Sequence, residues 1–402
     1  MLTNFGGSEI PVGKCLINRL EPPVGLAALG LRLRRLTAVA IVALSLSCSL
    51  GAGPARADLT PYDRGCQLLD AGDYINAVQQ FDQAIDSPAQ YPLVYLKRGQ
   101  ALEKMGSHKL AIKDFTDMIK NRPNNADGYG WRGTVYAKLG QKQLALADFE
   151  KAVALDGKYA YGFNMAGDVY KDMGDHQRAI DSYDKALGAD PKNVDALIKR
   201  ASEYVATGKV DTAVTDLTSA IQLDNNNAVA YINRGTAYSG LSQPEQALSD
   251  FNKALAIDPK NARALKLRGQ AYFKLQNAKQ AIEDYSEAIK QDSNNANLYY
   301  HRAKAWEQLG NDGAALTDVN KAVSYDPNQG NFYLLRAFLE NKQGQAVLAH
   351  QDIQRAQFAN PLLPQNIEFS PLDKNADRYL QDTNLVDVHS TGATDTTEKP
   401  QY

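Results

Sequence analysis

Helix-stopping residues and small apolar residues return along this chain at a fixed interval. Pro123, Pro191, Pro259 and Pro327 stand 68 residues apart, and Pro361 follows after another 34. Gly157, Asn225 and Ser293 occupy the midpoints, so the period is 34. Numbering that position 32 divides the chain into nine units: 58–91, 92–125, 126–159, 160–193, 194–227, 228–261, 262–295, 296–329 and 330–363. They follow one another with no insertion or deletion. Within each unit, positions 4, 8 and 11 share one face of a first helix A, and positions 20, 24 and 27 share one face of a second helix B. Glycine at position 15 in seven units ends helix A.

The residue sizes say how the helices meet. Position 20 is alanine in all nine units, from Ala77 to Ala349, and position 8 is always glycine or alanine. Position 24 is large and apolar throughout, from Phe81 to Ile353. Small residues at 8 and 20 bring the two helices close, and large residues fill the space beside them. One hairpin cannot bury such a face alone, so neighbours must stack. The expected fold is all-α: an α-solenoid of nine 34-residue helix-turn-helix units rather than two or three globular domains.

This pattern closely resembles the tetratricopeptide repeat (TPR) family. The resemblance implies a right-handed superhelix whose A helices line a concave groove that binds an extended peptide or helix of a partner protein. It also identifies a departure. The family usually has leucine at position 7; here that position is arginine except at Ala166. Position 23 is aspartate in seven units. In an antiparallel hairpin positions 7 and 23 are near neighbours, which predicts bidentate pairs within each unit. These are Arg98–Asp114, Arg132–Asp148, Arg200–Asp216, Arg234–Asp250, Arg268–Asp284, Arg302–Asp318 and Arg336–Asp352. Unit one has Arg64 with Gln80, and unit four has Ala166 with Ser182. The alternative is an arginine stripe that grips anionic ligands.

Family geometry places positions 2, 5, 9, 12 and 13 of helix A on the concave wall. Units five and six then present an apolar texture of Ile198, Val205, Val229 and Ile232. Units seven to nine present cations with aromatics: Arg263, Lys266, Gln270, Phe273, Lys274, Tyr300, Lys304 and Lys342. These are the candidate partner-binding residues. The family's clamp for a C-terminal carboxylate is absent: of Lys266, Gln270, His301, Asn331 and Leu335, only Lys266 matches. No asparagine ladder runs along position 6.

The ends of the chain read differently. Arg32, Arg34 and Arg35 precede an apolar run, Leu36 to Leu50, which gives way to Gly51-Ala52-Gly53-Pro54 and Ala55-Arg56-Ala57. That is the order of a secretory signal, with cleavage after Ala57. The alternative is an anchor formed by residues 36–55, although the run is short against the ~20 apolar residues of a membrane span. Either residues 1–31 form an extended leader or the true start lies near Leu31. Residues 364–382 are expected to form a capping helix, because Ser370-Pro371 makes a helix start and Leu372, Ala376, Tyr379 and Leu380 share one face. Residues 383–402 are polar and threonine-rich, and disorder is expected there.

Composition narrows the function. Residues 1–57 carry a net charge of +4, so the body carries −6 within a total of −2, unlike a general binder of phosphate backbones. The three cysteines and five histidines show no metal-ligand spacing. No nucleophile elbow, phosphate loop or dinucleotide fingerprint is present, so no catalytic residue, metal or cofactor is expected. The reading is an exported, non-enzymatic scaffold that binds a protein or peptide partner, in assembly or maintenance of the cell envelope. No nucleic acid and no stable membrane insertion are expected once the signal is cleaved. The alternatives are a self-assembling structural protein, or an accessory protein for nucleic acid or carbohydrate.

Overall fold

A computed structural model describes residues 59–87 and 93–364, together with Ile367 and Phe369. The leader, the tail and nearly all of the expected capping helix lie outside these residues. The described residues form eighteen helices and no strand. The A helices are α1 (Pro61–Asp70), α3 (Val94–Lys104), α5 (Ala126–Lys138), α7 (Ala160–Asp172), α9 (Val194–Ala206), α11 (Ala228–Gly240), α13 (Ala262–Lys274), α15 (Ala296–Gln308) and α17 (Gly330–Lys342). The B helices are α2 (Tyr74–Ile85), α4 (His108–Asn121), α6 (Lys142–Leu155), α8 (His176–Ala189), α10 (Val210–Leu223), α12 (Pro244–Ile257), α14 (Ala278–Gln291), α16 (Asp312–Tyr325) and α18 (Ala346–Ala359).

Each helix packs on the next along the chain. A helices of successive hairpins also approach one another, as α1 with α3, α3 with α5 and α11 with α13. The B helices make no comparable approach among the described residues. The A helices therefore form the inner wall.

The local signals explain the boundaries. Asn125, Asn193, Asn227 and Asn261 each accept a hydrogen bond from the third backbone N–H of the A helix they precede, which satisfies a donor that the helix cannot. At position 15 the chain reverses with positive φ, 71–79° in the seven glycines. Ser242 and Gln276 hold the same turn at φ of 58° and 60°, where a side chain costs energy that glycine avoids.

Packing inside each hairpin is a matched pair of volumes. Gly65, Gly99, Gly133, Gly167, Gly235 and Gly269 stand at position 8 facing the rings of Phe81, Phe115, Phe149, Tyr183, Phe251 and Tyr285. A Cβ on any of these glycines would lie closer than 3.0 Å to its ring. Where position 8 is alanine, position 24 is smaller: Ala201 with Leu217, Ala303 with Val319, Ala337 with Ile353. All these position-24 side chains are buried. The volume is held constant and divided differently between the helices.

At the C-terminal end, Phe332, Leu334, Leu335 and Leu339 of α17 are almost completely buried. Ile367 joins that core. The Phe369 ring meets Phe338 edge-on at 5.7 Å, and the Asn341 side-chain amide donates to the Phe369 carbonyl at 3.0 Å. Ile367 and Phe369 thus pack against the last hairpin.

The volume rule predicts that Gly235→Ala destabilises the protein by about 1–3 kcal/mol through overpacking, although alanine is the better helix former by about 1 kcal/mol. In a Phe251→Leu background the same substitution should cost much less, because the pair then copies Ala201 with Leu217. Urea unfolding of the four variants measures this; equal costs in both backgrounds would refute the rule.

Candidate functional site: the arginine spine and the inner wall

Seven arginines at position 7 reach across their hairpins to the aspartate at position 23. In every case Nε donates to one carboxylate oxygen and Nη2 to the other, at 2.5–2.9 Å. These are Arg98, Arg132, Arg200, Arg234, Arg268, Arg302 and Arg336 with Asp114, Asp148, Asp216, Asp250, Asp284, Asp318 and Asp352. The aspartates are buried and the arginines half-buried. Tyrosine rings at position 4 or 11 lie 5.4–5.9 Å from the guanidinium carbons, close enough for cation–π attraction. In unit one Arg64 donates to the Gln80 side-chain oxygen at 2.9 Å.

The third nitrogen of the fork leaves the hairpin. Nη1 donates to an oxygen at position 25 of the preceding B helix: Asp82, Thr116, Asp184, Thr218, Asn252, Ser286 and Asn320, at 2.6–3.2 Å. Each arginine therefore ties its own hairpin together and fastens it to the one before. Sequence reasoning found the first bond and missed the second. Its signal was present, since position 25 carries a side-chain oxygen before every one of these arginines. Unit four has Ala166 in place of the arginine, so Glu150 at position 25 before it has no such partner. Hydrogen bonds to aspartate hold Arg98, Arg132, Arg200, Arg234, Arg268 and Arg336 above their ordinary pKa. With the fork committed on three nitrogens, the stripe does not serve as a ligand grip.

The inner wall has two halves. In units two to five the charges and rings satisfy one another. Trp131 stacks between Phe115, at 6.3 Å, and Tyr161, at 5.5 Å. The Tyr161 hydroxyl meets that of Thr134 at 2.9 Å. Lys138 pairs with buried Glu103. Lys199 bridges Asp168 and Asp195 at 2.8 and 2.7 Å, and the hydroxyl of buried Tyr183 also donates to Asp168 at 2.8 Å. His176 meets Glu203 at 2.7 Å.

Units six to eight differ. Helices α11 and α13 contain no Asp or Glu, and α15 contains only Glu307, which faces Lys342 at 3.4 Å. Against this stand Arg263, Lys266, Lys274 and Lys304. Arg263 is exposed and reaches the Asn233 oxygen at 3.3 Å, yet burial lowers its pKa; a side chain enclosed by walls but open to solvent accounts for both. Lys304 lies 5.3 Å over the Phe273 ring. Gln270 meets His301 at 3.2 Å, and His301 lies 5.9 Å from Tyr285 and 5.4 Å from Tyr300. Burial first, then the charges of Lys266 and Lys304, push His301 down to about 3. The imidazole is neutral near pH 7 and adds no cation to this wall.

Several groove candidates need correction. Ile232 is buried, in a core with Ala254, Leu255 and Leu265, because position 5 of α11 leans onto the next hairpin. Tyr300 is buried against Phe332 at 5.0 Å. Ile198 and Val205 are partly buried in the cores of their own units. Of the four apolar candidates only Val229 is exposed. Of the apolar wall, Ile232 is therefore core, Ile198 and Val205 are partly so and Val229 is open, while the cations with Phe273 and Gln270 stay at least partly exposed. Among the described residues no group of His, Cys, Asp and Glu is placed to hold a metal, and no helix is long and apolar enough to cross a membrane.

Residues 62–126 and 96–160 match the tetratricopeptide repeat family, and residues 159–344 match the family described as ETO1 C-terminal domain. Among solved structures, the Cut9–Hcn1 hetero-tetramer of APC/C is similar at 18% identity and TM-score 0.50, over 74% of this chain and 55% of that one. MamA is similar at 27% identity and TM-score 0.39, over 42% of this chain and 93% of that one. YrrB, a TPR protein with an unusual peptide-binding site, is similar at 27% identity and TM-score 0.39, over 44% of this chain and 91% of that one. No curated protein matches. The eighteen helices packed in consecutive pairs, together with the family match over residues 62–160, mark the chain as a tetratricopeptide repeat protein.

If the spine holds the hairpins together, Arg234→Leu should cost about 3–5 kcal/mol by leaving Asp250 buried and unpaired. Replacing Asp250 by leucine as well should recover much of that loss. A thermal-melt double-mutant cycle decides it; additive losses, or no loss, would show that the pair does not couple.

Proposed function

We propose that this protein is an exported, non-enzymatic scaffold that binds an extended acidic segment of a partner protein along the inner wall of units six to eight. One observation carries the reading. Two consecutive A helices, α13 and α15, bring Arg263, Lys266, Lys274 and Lys304 to one wall, where Glu307, facing Lys342, is the one carboxylate on α11, α13 and α15. A wall on which cations outnumber carboxylates attracts an anionic ligand and helps set its register. Phe273 beneath Lys304 adds a flat apolar contact, and aromatic residues with cations make effective anchors. Repeat proteins of this family bind protein partners as a class, which supports the scaffold reading. The order of arginines, apolar run and Ala-x-Ala supports export, with a role in the cell envelope; the anchor formed by residues 36–55 is the alternative.

The groove reading is tested with a fluorescent 12-residue peptide rich in Asp and Glu. Lys266→Glu, Lys274→Glu and Lys304→Glu together should lower its affinity at least about tenfold and reduce its salt dependence, while the melting temperature barely moves. Unchanged affinity with a native fold would remove the site from this wall.

Export is tested separately, by N-terminal sequencing of the protein from its natural host. The mature chain should begin at Asp58; a soluble product of full length would rule out processing, and a membrane-retained one would favour the anchor.

A further inference from the structure

We propose that the outer face of α18 is a self-association surface, which pairs antiparallel with the same face of a second copy of this chain across a two-fold axis. This goes beyond the groove reading and does not depend on it.

Three observations point to this face and to this occupant. The first is a departure from the repeat. Position 29 is polar, alanine or glycine in units one to eight, and it is Phe358 in unit nine. Position 18 is polar or glycine in units two to eight, and it is Val347 in unit nine. Phe358 is 91% exposed and Val347 73% exposed, so neither contributes to a core within its own chain. The second is what covers the rest of α18. Ala349, Ile353 and Ala356 face inward and are buried. Ile367 and Phe369 lie beside Ala346, Ala349, His350 and Ile353. At about 100° per residue, the side they cover stands about a third of a turn from Val347 and Phe358, whose face stays open. The third is symmetry. The open face reads Val347, Gln351, Gln354 and Phe358, at spacings of four, three and four residues. From either end the order is apolar, glutamine, glutamine, apolar. Two such helices laid antiparallel place Val347 of each copy against Phe358 of the other, and Gln351 of each against Gln354, as a two-fold axis requires. Side-chain amides both donate and accept, so facing glutamines satisfy one another. None of the four positions is charged, so no like charges are brought together. The same positions of α4 hold Lys109, Lys113 and Lys120, which would repel a second copy. Arg355, beside the open face, is held by Asp352 at 2.9 Å. One helix face makes a small contact, so the dimer is a reversible one. It forms on a B helix, and the inner walls of both copies stay open.

Light scattering after gel filtration of the full chain, loaded at about 10–200 µM, reads the association. The mass should rise toward that of two copies across this range. Val347→Lys and Phe358→Glu should each weaken the dimer at least about tenfold. Both side chains are exposed, so the melting temperature should barely move. The two substitutions in one chain should restore much of the association, because the lysine of each copy then meets the glutamate of the other. Gln222→Glu, at position 29 of α10, is the control and should change nothing. A monomer at every concentration would overturn the proposal, and so would a dimer that survives both single substitutions. Loss in the single variants without recovery in the double variant would overturn the antiparallel pairing. Masses that climb beyond two copies would replace the two-fold contact with an open, head-to-tail one.

Discussion

The three-way arginine bond is the constraint on which the rest of this solenoid depends. A guanidinium offers a fixed fork of donors, and here two prongs close a hairpin while the third fastens it to its predecessor. The geometry is possible only if both helices and the preceding B helix keep the same register in every unit. That requirement agrees with the absence of any insertion or deletion over nine units. It also explains how a charge is tolerated where the family usually places leucine. The carboxylate is buried, but both its oxygens are paired, and the guanidinium is flanked by tyrosine rings. Buried charge that is fully hydrogen-bonded gives specificity of register more than net stability.

The size match between positions 8 and 24 supplies what the polar spine cannot. Six glycines admit six aromatic rings, and three alanines accompany three aliphatic side chains. The spine sets where helices lie along their axes, and the volume pairs set how closely they approach. Both devices act within a hairpin or between neighbours, so the fold is built from local contacts.

The fold was readable because its period is long, exact in length and repeated nine times, and because the residues that mark it act through size and backbone geometry. The ion pairs were readable for the same reason. The groove was less so. A helical residue's side faces inward or toward the next hairpin by a small rotation, and spacing alone does not distinguish the two. Ile232 and Tyr300 were placed on the open wall by position, but packing against the following hairpin takes both into the core. Arg263, Lys266 and Lys304 kept their places because a charged head group needs water or a partner, which limits where the position can point. The oxygen at position 25 went unnoticed because its residue type varies among Asp, Thr, Asn and Ser while its role does not.

The way each arginine reaches back bears on how such a chain can lengthen. A unit copied whole carries its own Gly–aromatic or Ala–aliphatic pair, and its own Arg–Asp pair, so its interior arrives complete. All it asks of the unit before it is one side-chain oxygen at position 25. Copies of half a unit would meet a harsher test, since the helix bearing Gly235 and the helix bearing Leu217 would leave a void, and Ala201 against Phe251 would collide. Growth by full 34-residue steps is therefore the inexpensive path for this sequence. Unit four, with Ala166, is the one member that can follow any neighbour, because it makes no backward demand.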